Sequence, residues 1–173
     1  SQARVIRMMP NLPIWVGKGM ICICRGLSAT DEDLNLVQRI FNDLGATMLL
    51  KEEMMNAATV ISGSGPGYLY DWIGEKNIGE IKKYTEDTFT PELIKAAMSI
   101  GFNAEEAKLL VETTVEGSIA FLEITGISPL QLKEQIASKG GTTEAALEIL
   151  HTGGSLQEAV KAALRRAGEL SKK

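Results

Sequence analysis

The segment that opens with Asn103-Ala104-Glu105-Glu106-Ala107-Lys108-Leu109-Leu110 and closes on Leu122-Glu123-Ile124-Thr125-Gly126 decides the fold. Asn103 is a good helix cap, and Glu106 can reach back to its main-chain N–H. No proline interrupts the stretch, and Gly126 supplies a stop. Leu109, Leu110, Val111, Val115, Ile119, Phe121, Leu122 and Ile124 do not form one narrow stripe but wrap around much of the helix. A helix apolar on several sides is buried on several sides. A second copy of the chain is therefore expected to cover part of it, giving a homodimer.

The flanking segments extend the helical reading. Ser128-Pro129-Leu130-Gln131 and Ser155-Leu156-Gln157-Glu158 are capping boxes that open further helices. Upstream, Thr90-Pro91 caps a short helix that ends at Gly101, and Asn77–Thr88 is polar and without clear pattern. Glu52–Ile61 reads as a helix stopped by Ser62-Gly63-Ser64-Gly65, and Pro66 then starts another. Only the beginning of the chain differs. Val5–Met9, Gly19–Arg25 and Ala46–Leu50 read as strands, and Thr30-Asp31-Glu32-Asp33 caps a helix carrying Leu34, Val37, Ile40, Phe41 and Leu44. The fold expected is mainly α: a small α/β piece over residues 1–50, then an all-α bundle over residues 51–173. Three strands and one helix alone would leave sheet surface and an edge bare, so something must cover them.

Composition narrows the functional classes. The 173 residues are 45% hydrophobic and 23% charged, with a net charge of −4. That is an ordinary globular make-up, without the basic surface expected for nucleic acid or an anionic membrane. No apolar run is long enough to span a bilayer. Cys22 and Cys24 alternate on a strand and read as small apolar residues in a reducing cytoplasm rather than as a metal site. The single histidine, His151, falls in the last turn of a predicted helix, where it complements the dipole.

One stretch carries chemistry. In Ser138-Lys139-Gly140-Gly141-Thr142-Thr143 two glycines and two threonines precede an apolar helical pattern. Free N–H groups and the positive end of the helix dipole would face outward there, which suits a carboxylate with a hydroxyl beside it. The plainer reading makes Thr142 or Thr143 simply an N-cap.

Four stretches together resemble the C-terminal part of a pyrroline-5-carboxylate reductase: Val5-Ile6-Arg7-Met8-Met9-Pro10-Asn11-Leu12-Pro13, Ile61-Ser62-Gly63-Ser64-Gly65-Pro66-Gly67-Tyr68, Pro129-Leu130-Gln131-Leu132-Lys133, and Gly140-Gly141-Thr142-Thr143 with Ala146-Leu147. The resemblance covers nearly the whole chain. It implies reduction of 1-pyrroline-5-carboxylate to L-proline with NADPH or NADH in proline biosynthesis, by an enzyme that pairs through its helical domain. It also implies that residues 1–50 end a Rossmann sheet. The chain contains no strand followed by Gly-x-Gly-x-x-Gly and a helix, so this piece alone is expected to bind no nucleotide and to be inactive. Carried over, Ser138 and the N–H groups of Gly141 and Thr142 hold the substrate carboxylate. The Thr143 hydroxyl meets the imine nitrogen as the catalytic contact, and Asn11 lies near the nicotinamide. Ser62 and Ser64 are expected mainly to let helices approach. The chain departs from the family pattern at Lys139, where proline is usual, at Leu12, where threonine is usual, and in a longer, more polar segment over residues 74–100. Lys139 either adds positive charge near the carboxylate or marks a changed substrate. The alternatives are a non-catalytic dimerisation module and a related dehydrogenase acting on another imine.

Overall fold

The computed structural model describes residues 3–74, 81–83 and 85–172. Strand β2 (Gly19–Arg25) is apolar at nearly every position and buried along almost its whole length. It is the centre of a three-stranded sheet, with β1 (Ile6–Pro10) antiparallel on one side and β3 (Gly45–Leu50) parallel on the other. Cys22 is the midpoint, opposite Met9 on β1 and Met48 on β3. Side chains alternate across the sheet. Ile21 and Ile23 join Leu34 of helix α1 (Asp31–Phe41) on one face. Met20, Cys22, Cys24, Met48 and Leu50 enter the main core with the helices on the other. The helical part thus covers the sheet face that the α/β piece, with α1 on the other face, could not cover unaided.

The crossover from β2 to β3 begins with the predicted cap: Thr30 Oγ1 accepts from the Asp33 N–H at 3.3 Å, and the Thr30 N–H donates to Asp33 Oδ2 at 2.9 Å. The expected break at Ser62–Gly65 is not a break. Helix α2 (Met55–Ala58) continues as a wide π-turn over Thr59–Gly63, in which the Ser64 N–H donates to the Thr59 carbonyl at 2.9 Å. Helix α3 (Gly65–Ile73) follows directly. Small residues here widen the helix instead of ending it, a distortion common beside functional sites. Thr90 likewise makes no side-chain cap, because a second π-turn over Thr85–Phe89 runs straight into helix α4 (Thr90–Met98). The polar stretch Asn77–Thr88 lies partly outside the described residues.

The long helix α5 (Ala104–Thr125) is capped as expected by Asn103 and Glu106 and stopped by Gly126 at φ +66°. It is the central strut. Leu110, Val111, Val115, Ile119, Phe121 and Leu122 are buried by neighbours within the same chain. Of the wrapped apolar residues, Leu109 and Ile124 stay exposed, at 47% and 64%. Less of α5 is therefore left for a second copy than the spacing suggested. Helices α6 (Pro129–Ile136), α7 (Thr142–His151) and α8 (Leu156–Leu170) complete the bundle, with α6 and α8 opened by the predicted capping boxes. Asp71 on α3 ties α6 and α7 together through Lys133 Nζ at 3.0 Å and His151 Nε2 at 3.1 Å.

Candidate active site

The site forms where α3 and α7 begin. Neither threonine is the N-cap of α7. Gly141 holds that position, extended at φ −87° and ψ 179°, and having no side chain it makes no cap bond. Thr142 and Thr143 are the first helical residues. The opening amides of α7 thus lack the side-chain acceptor that α1, α5, α6 and α8 each possess. A helix start of this kind presents donors and positive potential.

The loop before it is a tight turn. The Gly141 N–H donates to the Ser138 carbonyl at 2.9 Å, and Gly140 takes φ +68°. That is the pattern of a type II turn, with Lys139 and Gly140 central and glycine at the position of positive φ. The Gly140 N–H donates to Glu144 Oε2 at 2.6 Å. The Gly141 amide, expected to face a carboxylate, is thus turned onto the loop in this structure. Ser138 and Lys139 are exposed on its outside.

Thr142 Oγ1 and Ser64 Oγ are hydrogen-bonded at 2.8 Å, joining two motifs 78 residues apart. Ser64 is therefore more than a spacer. Ser62 behaves as the packing residue expected: it is fully buried, with its hydroxyl 3.9 Å from Cys22 Sγ. One helical turn beyond Ser64, the Tyr68 hydroxyl is fully buried and has no hydrogen-bond partner among the described residues. Burial pushes this phenol up, against the opposing pull of the nearby Ser64 hydroxyl. Thr143 is 3% exposed. Its methyl lies where a Cβ on Gly67 would stand, 2.6 Å from the methyl carbon, so glycine at 67 lets α3 and α7 touch. Tyr68 was not singled out from sequence. Its spacing from Ser64 on one helical face is the signal that could have found it.

Asn11 sits just past β1 and is 5% exposed. Its Oδ1 accepts from the Met20 N–H at 2.8 Å, while Nδ2 is buried without a partner among the described residues. An orphaned amide donor costs about 1–3 kcal/mol. The end of β1 meets the Ser64 segment through Met9, whose Sδ lies 3.5 Å from where a Cβ on Gly63 would stand.

The site is therefore rich in hydroxyl and amide donors. Among the described residues no group of His, Cys, Asp and Glu is placed to hold a metal. His151 is engaged with Asp71 at the other end of α7, as the structural reading expected. Cys22 is buried, and burial pushes its thiol from the ordinary 9.0 up to about 11. Such a group is inert at neutral pH. The arrangement can grip and orient a small anionic molecule, with no acid–base pair in attendance.

A family model described as "Pyrroline-5-carboxylate reductase dimerisation" matches residues 87–172. Pyrroline-5-carboxylate reductase from Pisum sativum is 34% identical over 171 residues, which is 97% of this chain and 56% of the relative. That from Arabidopsis thaliana is 34% identical over 174 residues, or 99% of this chain and 57% of the relative. The chain thus spans little more than half the length of the curated relatives it matches. A crystal structure of Plasmodium falciparum pyrroline carboxylate reductase with NADP bound is 31% identical, with a TM-score of 0.47, over 96% of this chain and 60% of the other.

Proposed function

Because this chain belongs to the pyrroline-5-carboxylate reductase family, we propose that it supplies the substrate-gripping and pairing part of an enzyme that reduces 1-pyrroline-5-carboxylate to L-proline with NADPH or NADH. The carrying observation is the uncapped start of α7, with Thr142 and Thr143 as its first helical residues. The substrate carboxylate lies over those amides beside Ser138, and the Thr143 hydroxyl meets the ring nitrogen. The ring nitrogen of a cyclic imine is basic enough to carry a proton near neutral pH. The protein then has only to orient the electrophilic carbon and exclude water, and positioning of that kind accounts for much of the acceleration. That suits a site of donors without an acid–base pair.

A reduced nicotinamide, when bound, supplies the hydride. Asn11 fits a place beside it, since the buried Nδ2 lacks the acceptor that a carboxamide carries. Residues 1–50 are read as the end of a Rossmann domain and 51–173 as the dimerisation and substrate-binding domain. The partner is a second copy of the chain, and the setting is the cytoplasm. With no Gly-x-Gly-x-x-Gly turn in it, the chain alone is expected to show no turnover with NADPH or NADH.

Calorimetric titration with L-proline tests the reading. Thr143→Val keeps the buried methyl and removes the hydroxyl. It should weaken binding roughly five- to tenfold, the scale of one net hydrogen bond, with little change in melting temperature. Thr143→Ser keeps the hydroxyl and should bind nearly as wild type. Equal affinity in wild type and Thr143→Val would remove Thr143 from the substrate contacts. Absence of proline binding by the wild-type chain would remove the site.

A further inference from the structure

The peptide plane between Gly140 and Gly141 is fixed from two directions. On one edge the Gly141 N–H donates to the Ser138 carbonyl at 2.9 Å. On the other, the Gly140 carbonyl accepts from Arg166 Nε at 2.7 Å. Arg166 lies on α8, 26 residues further along the chain. Its Nη2 stands 3.3 Å from where a Cβ on Gly140 would be, so the guanidinium rests against the glycine itself. Its Nη1 donates to Glu169 Oε2 at 2.8 Å, which holds the head group from behind. Together with the Glu144 bond to the Gly140 N–H, both main-chain polar groups of Gly140 are held by charged side chains.

A glycine–glycine peptide needs such support. Neither neighbour has a Cβ to resist rotation, and turning the plane over exchanges the directions of its carbonyl and N–H. That rotation would leave the Thr142 and Thr143 amides, which sit on later planes, in place, but it would bring the Gly140 carbonyl to the side where the Gly141 N–H now lies and so break the turn that leads into α7. A hydrogen bond from a permanently charged guanidinium is stronger than one between neutral groups. The pair with Glu169 cannot itself explain the arrangement, since it is a partly exposed contact within one helix, of a kind that contributes little.

We propose that Arg166 is a positioning residue: from α8 it locks the Gly140–Gly141 peptide, and through it the turn from Ser138 that leads into the start of α7. This rests on the imino-acid reading of that helix start.

The experiment uses the full chain with Arg166→Gln, Arg166→Lys, Arg166→Met and Glu169→Gln, and follows melting temperature, L-proline affinity and hydrogen exchange of the Gly141 amide. In Arg166→Gln the Gly141 amide should exchange about tenfold faster and proline should bind about tenfold more weakly, the effect of losing one charge-assisted bond. Arg166→Lys, which keeps a cationic donor, should recover part of both, and Arg166→Met, which keeps the aliphatic stem without a donor, serves as the readout if Arg166→Gln does not fold. In that case wild-type exchange and affinity in the methionine variant would overturn the lock. Glu169→Gln should leave both near wild type, and an effect there equal to that of Arg166→Gln would assign the role to the ion pair instead. Unchanged exchange and affinity in a folded Arg166→Gln would also overturn the proposal. If wild type binds no proline, the imino-acid reading fails separately, and Gly141 exchange alone then judges the lock: faster exchange in Arg166→Gln upholds it, unchanged exchange removes it.

Discussion

At Lys139 the chain places a flexible side chain in the turn position that favours proline. The turn closes from the Gly141 N–H to the Ser138 carbonyl, with Gly140 at φ +68°. A proline at the preceding position would pre-set the required φ and cost the unfolded chain entropy. Lys139→Pro is therefore expected to raise stability by about 0.5–1 kcal/mol in urea unfolding, and a loss of stability would contradict the turn type. Cys22 gives a prediction in pH. Burial keeps its thiol neutral up to about pH 11, while the unfolded thiol ionises near 9.0. Stability from this group is intact below about 9 and is lost as pH rises toward 11, at about 1.4 kcal/mol per pH unit. Comparing Cys22→Ala with wild type over pH 8–10.5 should show a shallower decline in the variant, and parallel curves would exclude the effect. At this scale the threonines were legible in the sequence because glycine–glycine–threonine–threonine before an apolar helix is a local pattern. Glu144 and Arg166 were not, because nothing beside them in sequence marks a hydrogen bond to Gly140.

Between elements, the contact that makes the site is α3 against α7. Gly67 is its pivot: an added Cβ would stand 2.6 Å from the Thr143 methyl and 3.3 Å from Ile136 Cγ2. Gly67→Ala should therefore push the two helices apart, destabilise by about 1–3 kcal/mol and weaken proline binding. Adding Thr143→Ser removes the clashing methyl and should recover part of the lost stability. If the double variant is no better than the sum of the two changes, measured by urea unfolding, the two residues do not meet as described. Most element limits were readable beforehand. Capping boxes at Thr30, Asn103, Ser128 and Ser155 all form as the residues suggest. The exceptions, at Ser62–Gly65 and Thr90, are places where a π-turn carries the helix through residues that usually end one. The packing of Met55, Val60, Ile61 and Phe89 into the core holds these turns together, and local propensity does not include that term.

For the molecule as a whole, the proposed pairing follows from apolar surface that the chain leaves uncovered. Leu109 and Ile124 on α5, Met98 on α4 and Leu130 on α6 are all at least 47% exposed. Light scattering should give about twice the single-chain 18.7 kDa, and Ile124→Asp should shift the mass toward one chain by placing a charge in the contact. A single-chain mass for wild type at micromolar concentration would refute pairing through this surface. The sequence by itself determined the order of strands and helices, most of the helix limits and the two site motifs, because caps, turns and periodicity act over a few residues. Only the tertiary structure decided that Ser64 would meet Thr142 and that Arg166 would reach Gly140. Those contacts join segments far apart in the chain, and their geometry is set by how the helices pack, which no short stretch of residues encodes.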